Sequence, residues 1–138
     1  MIAGITFSEE PELGVDEFID VLRRSTLAER RPVDDRARIA SMLEHANLII
    51  CARDTDGKLV GVSRALTDFA YCCYLSDLGV DAAMQGRGIG RELVRRTHLR
   101  AGPGALLLLL AAPKARSYYP HIGMETCDRA FTISRRQP

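Results

Sequence analysis

The stretch "DLGVDAAMQGRGIGRELV", residues 77–94, passes from an apolar strand end, through three glycines in five positions, into a charged helix. A helix N-terminus leaves backbone N–H groups unpaired and carries roughly half a positive charge. Glycines leading into it let a phosphate approach those N–H groups with no Cβ in the way. Arg87 and Arg91 add side-chain charge nearby. The stretch therefore predicts a diphosphate site at a strand-to-helix junction. The same glycines also suit a tight turn with no ligand, flanked by a solvated arginine face, and spacing alone leaves both readings open. Two phosphate loops are excluded. A Walker A loop needs Lys-Ser/Thr after its last glycine, and Arg91-Glu92 stands there. The dinucleotide fingerprint needs G-x-G-x-x-G and an acidic residue about 20 positions on. Here the spacing is G-x-G-x-G, and the next strand ends in Leu110, Ala111 and Ala112.

Working outward, residues 2–7 predict a short first strand. "GVDEFIDVLRRS" spaces Val15, Phe18, Ile19 and Leu22 by three and four, the pattern of an amphipathic helix. "RPVDDRARIASMLEHA" repeats it with Ile39, Met42 and Leu43, with Pro32 near its start and Asn47 at its end. "NLIICARDTDGKLVGVSRALTD" predicts two strands joined at Asp56-Gly57, and "AYCCYLSDLGVD" a third. "GRELVRRTHLRAG" is helical and stops at Gly102-Pro103. "ALLLLL" predicts a strand buried on both faces, "KARSYYPHIG" a short helix and "ETCDRAFTIS" a last strand. The first strands should be antiparallel and the unit at 73–111 a parallel crossover, giving a mixed sheet in an α/β layer structure.

A chain of 138 residues predicts a single domain, spanning residues 1–138, with a real core. A net charge of +1 gives no global basic field, so nucleic acid is not an expected partner. Cys51, Cys72, Cys73 and Cys127 lack zinc spacing, so no metal is expected, and they read as reduced, mostly buried thiols of a cytoplasmic protein. The opening "MIAGITFSEEPEL" has no basic n-region or long apolar run, and "ALLLLLAA" is far below the roughly 20 residues that cross a bilayer. No membrane association is expected.

Residues Gln85-Gly86-Arg87-Gly88-Ile89-Gly90 resemble the Q/R-x-x-G-x-G/A signature of the GCN5-related N-acetyltransferase superfamily. "LGVD" is similar to the strand end that precedes that signature, and "RELV" to the start of its long helix. Downstream, "ARSYYPHIGMET" is similar to the family's Ala-x-x-Phe-Tyr-x-x-x-Gly-Phe segment, with Tyr119 on the Tyr, Gly123 on the Gly and Met124 on the Phe. Two motifs in the right order carry more weight than either alone. The resemblance implies an acyl-CoA N-acyltransferase fold of six to seven mostly antiparallel strands, a central splayed parallel pair and about four helices.

It also implies an acetyl-CoA-dependent N-acetyltransferase acting on a primary amine of a small molecule or peptide. Acetyl-CoA would lie where the strand ending at Val80 parts from the one at 106–111. Its pyrophosphate would sit on the amides of Arg87 to Arg91, and its pantetheine arm on the main chain of Leu78, Gly79 and Val80, like an added strand. Tyr119 matches the family's general acid for the leaving thiolate. A free alkylamine has a pKa near 10.4, so a base or a desolvating site must help remove its proton. Asp77 is the nearest carboxylate for that role. Pro120 directly after Tyr119 departs from the family pattern and disfavours helical geometry at Tyr119. The acceptor pocket is expected from residues 14–46 and 66–76, which offer Glu44, His45, Asp68, Phe69, Tyr71 and Tyr74. A homodimer is compatible with the family. A CoA-binding module without turnover is the alternative, which CoA-thiol release against an amine panel separates.

Overall fold

The structure is a computed structural model and describes residues 2–138. Five strands form one sheet in sequence order: β1 Thr6–Glu9, β2 Leu48–Arg53, β3 Leu59–Thr67, β4 Cys72–Val80 and β5 Leu106–Leu108. Neighbours pair antiparallel except β4 and β5, which are parallel and joined through a helix. The helices are α1 Val15–Arg24, α2 Arg36–His45, α3 Ile89–Ala101 and the short α4 Tyr118–His121. The mixed α/β sheet with four helices matches the expected class, with five strands instead of six to seven.

Each helix follows from local chemistry. Acidic Asp16 and Glu17 open α1 while Arg23 and Arg24 close it, matching the helix dipole. Its apolar stripe buries Phe18, Val21 and Leu22. Asp35 caps α2 by accepting the Arg38 N–H at 3.1 Å, three residues after Pro32. Asn47 then ties the start of β2 to the end of β3 through both Thr67 main-chain groups, at 2.6 and 2.9 Å.

Helices cover both faces of the sheet. Ile49, Cys51 and Val62 pack beneath α1 and α2, while Leu48, Ile50, Ala52 and Leu75 pack beneath α3 with Ile89 and Leu93. The strands buried on both faces are therefore β2 and β3. β5 departs from that expectation: Leu107 and Leu109 pack on the α3 side, but Leu106 is 60% exposed and Leu108 and Leu110 are also exposed. The cluster beneath α1 and α2 contains no β5 residue, so one face of this edge strand stays uncovered. The first strand begins at Thr6, later than residues 2–7. The expected last strand within "ETCDRAFTIS" is not formed, and Phe131 and Ile133 are 92% and 100% exposed. Alternation of side chains permits a strand, but only a pairing partner makes one.

A bulge in β4 sets which of its residues face which layer. Arg64 pairs with Asp77 and Ala65 with Leu75, leaving Ser76 as the extra residue of β4. Before it, Cys73 and Leu75 face α3; after it, Leu78 and Val80 do. The inserted residue thus turns Asp77 and Gly79 to the α1 side. Gly79 is needed there, since a Cβ would stand 2.9 Å from Ser25 Oγ at the end of α1.

Candidate functional site

β4 and β5 run together only from Cys72 to Tyr74 against Leu106 to Leu108. β4 continues to Val80, paired with β3 alone. The parallel pair therefore forks, and from residue 75 onward β4 has no strand neighbour on that side. Within the fork, the main chain of Leu78, Gly79 and Val80 runs toward the glycine loop.

The loop is built from its anchor upward. Asp81 follows β4, and its main chain holds both sides: its N–H donates to Val60 O at 2.8 Å and its C=O accepts from Met84. Its buried carboxylate accepts the Ala83 N–H at 2.9 Å and Arg24 Nη1 at 2.6 Å. Burial alone would push the Asp81 carboxyl up; the Ala83 N–H and the Arg24 guanidinium outweigh it and hold the pKa low. Gln85 returns to the strand end, donating Nε2 to Val80 O at 3.3 Å. Arg87 reaches Ala3 O at 3.2 Å. Gly86 and Gly88 have φ of +82° and +86°, a region that L side chains rarely adopt. A Cβ on Gly86 would meet nothing within 4 Å, and one on Gly88 only Ile2 Cδ1 at 3.8 Å. These glycines thus serve the backbone's path and leave open space above it.

Gly88 caps α3, whose first turn starts at Ile89. Ile89 is buried beneath the sheet and fixes the direction of that turn. The first α3-closing bond is Glu92 N–H to Gly88 O, so the N–H groups from Gly86 to Gly90 have no partner among the described residues. Glu92, which would oppose an anion there, is claimed by Arg95 and Arg96 at 2.7 Å each. The Arg95 bond and then the Arg96 bond hold its carboxyl at about 2 against the opposing effect of burial. Unpaired amides, a left-handed glycine lead-in and a neutralised first-turn acid together make a helix start suited to an anion. That start fits a diphosphate.

Tyr119 lies on α4, half-buried, with its ring edge-on to Tyr118 at 5.2 Å between centroids. Burial raises its phenol pKa, Tyr118 adds to that, and the Arg31 charge works against it. Pro120 is accommodated because α4 is short and places it in the first turn.

Asp77 is the cluster the sequence did not reveal. The carboxylate is 0% exposed and accepts Arg31 Nε on one oxygen and Arg64 Nε on the other. Arg31 also donates to Ser76 O at 2.9 Å, and Arg64 to Ser76 Oγ and Met42 O at 3.0 Å each. With no exposed surface, Asp77 is placed as an internal counter-ion and not as a group that meets an amine directly. Arg64 and Asp77 stand opposite each other across β3 and β4, whereas Arg31 arrives from beyond α1. Only the first pairing has a signal in strand register.

Of the expected acceptor residues, Tyr74 stands at the fork. Asp68, Phe69 and Tyr71 lie in the turn between β3 and β4, at the other end of β4 from the glycine loop. Asp68 is a turn staple. It accepts N–H bonds from Ala70, Tyr71 and Cys72 at 2.7–3.1 Å, with the Tyr71 N–H the largest influence holding its pKa at about 2. Glu44 and His45 end α2, where His45 Nδ1 pairs with Ser41 O. Two open hollows elsewhere are lined by paired ions, one by Glu9 and Arg100 and the other by Asp16 and Arg36. Among the described residues no three His, Cys, Asp or Glu side chains cluster as a metal site, and no helix is long and apolar enough to cross a membrane.

Comparison with known proteins bears on this arrangement directly. The acetyltransferase (GNAT) family profile matches residues 15–119, which span α1 through Tyr119. The chain belongs to the GNAT acetyltransferase family. No curated protein matches it significantly. Among solved structures, it is similar to a Deinococcus radiodurans R1 protein to which acetyltransferase activity is ascribed: TM-score 0.74, 23% identity, 99% of this chain and 91% of that one. A GNAT family acetyltransferase from Streptococcus pneumoniae TIGR4 gives a TM-score of 0.66 at 20% identity, covering 95% and 98%. The aminoglycoside N-acetyltransferase AAC(6')-Iy, solved with CoA, gives 0.69 at 16% identity, covering 96% and 95%. These likenesses speak for the fold. The parting pair β4 and β5 corresponds to the splayed parallel pair that the family resemblance implied, with β5 ending at Leu108.

Proposed function

We infer that this GNAT protein is an acetyl-CoA-dependent N-acetyltransferase that modifies a primary amine of a small molecule or peptide. One observation carries the reading: β4 loses its parallel neighbour just before a loop whose glycine-bared amides have no protein partner. A long ligand with an anionic end and an amide-bearing arm satisfies both features. The CoA bound to AAC(6')-Iy supports the choice.

The amides and side chains of Arg87 to Arg91, with Gly86 as lead-in, hold the diphosphate, and Gln85 keeps that loop tied to Val80. Leu78, Gly79 and Val80 present main-chain groups to the pantetheine arm as a missing strand would. Bound there, the co-substrate supplies an activated acetyl thioester. Tyr119 holds the proton for the departing sulfur; an ordinary phenol titrates near 10 and burial raises this one further, so it is protonated at neutral pH. Asp77 positions β4 against Arg31 and Arg64, so the amine releases its proton to water at the open fork. Turnover should accordingly rise with pH toward the amine's own pKa, near 10.4 for an alkylamine.

The test is thermal. A ligand selective for the folded state at 100 times its Kd stabilises by about 2.7 kcal/mol. For a chain of 138 residues that raises Tm by roughly 8–10 °C. Gly88→Glu or Gly90→Glu should abolish the shift by clash and charge. No shift with millimolar acetyl-CoA refutes the reading. An amine panel with CoA-thiol detection then finds the acceptor, and thiol release from none of them favours the binding module.

A further inference from the structure

Tyr118 and Tyr119 are neighbours on α4 but reach different elements. The Tyr118 hydroxyl oxygen lies 2.7 Å from the point where a Cβ on Gly90 would stand, and that point is 3.6 Å from Val80 Cγ2. The oxygen therefore lies against the first turn of α3, at the place where that turn approaches the end of β4. Burial pushes the Tyr118 phenol up, and both the Arg91 charge and the Arg91 backbone N–H oppose that rise. Those are the groups a phosphate oxygen would seek at this helix start.

The position matters because of what must pass through it. If the phosphates sit on residues 87–91 and the arm lies along residues 78–80, the ligand crosses from Gly90 to Val80. The Tyr118 phenol oxygen lies at the Gly90 end of that crossing.

We propose that Tyr118 is a positioning residue that acts as an internal gate: its hydroxyl stands in for the cofactor over Gly90 and Arg91 and is displaced on binding, carrying α4 and Tyr119 with it. The proposal rests on the cofactor reading above. α4 suits such a movement, having four residues, no side-chain cap and Gly123 at φ +95° just beyond it. The two rings are in edge-on contact on the same short helix, so a shift of α4 moves both. The gate gives Tyr119 a reason to sit beside Tyr118: the acid takes its final place only when the cofactor is present.

A shut gate lowers apparent affinity by the fraction of molecules that are open. Opening it by mutation should tighten binding, which loss of an ordinary structural or ligand contact does not do. Calorimetry and stopped-flow binding with CoA test this on the wild-type chain, Tyr118→Phe and Tyr118→Ala. Tyr118→Phe keeps the ring and removes the hydroxyl oxygen; binding should tighten about two- to fivefold. Tyr118→Ala should tighten it by about three- to tenfold, with the gain in kon. Should the alanine variant not fold, the phenylalanine variant decides. Unchanged or weaker binding by a folded variant overturns the gate and makes Tyr118 a wall or a ligand of the site. That result leaves the cofactor reading intact as long as the wild-type chain binds CoA. If the wild-type chain binds none, the cofactor reading fails and the gate falls with it.

Discussion

Asp77→Asn separates two roles for the fully buried Asp77 carboxylate. As a base, Asp77 would be dispensable for folding, and its loss would stop turnover in a stable protein. As a counter-ion, its loss leaves Arg31 and Arg64 facing each other on the α1 side of the sheet, with Arg64 buried and Arg31 one-fifth exposed. Removing one partner of a buried ion pair costs about 3–5 kcal/mol, because the remaining charge stays uncompensated. Asn is close in size to Asp, so the change adds little cavity cost. For a chain of 138 residues the expected loss is roughly 10–17 °C in Tm. Calorimetry or urea unfolding measures it. Arg31→Gln in the Asp77→Asn background should recover part of the loss by removing the excess cation, giving a clear coupling energy in a double-mutant cycle. A Tm within about 2 °C of wild type, together with abolished acetyl transfer, would refute the counter-ion argument and restore Asp77 as the base.

Three further outcomes are expected. Gly79→Ala forces a methyl against Ser25 Oγ, 2.9 Å away, and should cost about 1–3 kcal/mol; Ser25→Ala should restore part of that in urea melts. The Glu92 carboxyl is held at about 2, below its usual 4.5, so its stabilising contribution is present above pH 4.5 and is lost as pH falls toward 2. A Tm series across that window should fall more steeply for wild type than for Glu92→Gln, and equal slopes would contradict the Arg95 and Arg96 pairing. A thiol reagent should modify exposed Cys72 and Cys127 in the native protein but spare Cys73 and Cys51, whose burial pushes the Cys51 thiol up to about 12. All four thiols should react in denaturant.

The chain's local signals and its three-dimensional constraints divide cleanly. The helices at 15–24, 36–45 and 89–101, the turn at Gly57 and the glycine loop are all legible in the sequence. Each rests on residues within one or two helical turns: an apolar stripe, a proline near a helix start, a turn glycine. The family likeness is legible for the same reason, since both of its motifs are short. Asp77's partners were not readable, because a one-residue bulge at Ser76 reverses which face it takes and Arg31 comes from 46 positions away. Tyr118's place over Gly90 is equally non-local. The tail "ETCDRAFTIS" shows the converse error: alternation was present, but no neighbour took it up.

Sequence by itself determined the mixed α/β layering and the glycine-led helix start, because hydrophobic period and glycine conformation act over a few residues. Tertiary structure decided which acid is buried, which tyrosine faces which element, where two strands part and which strand lies at an open edge. Those outcomes depend on pairing and register between distant segments, and a single inserted residue is enough to change them.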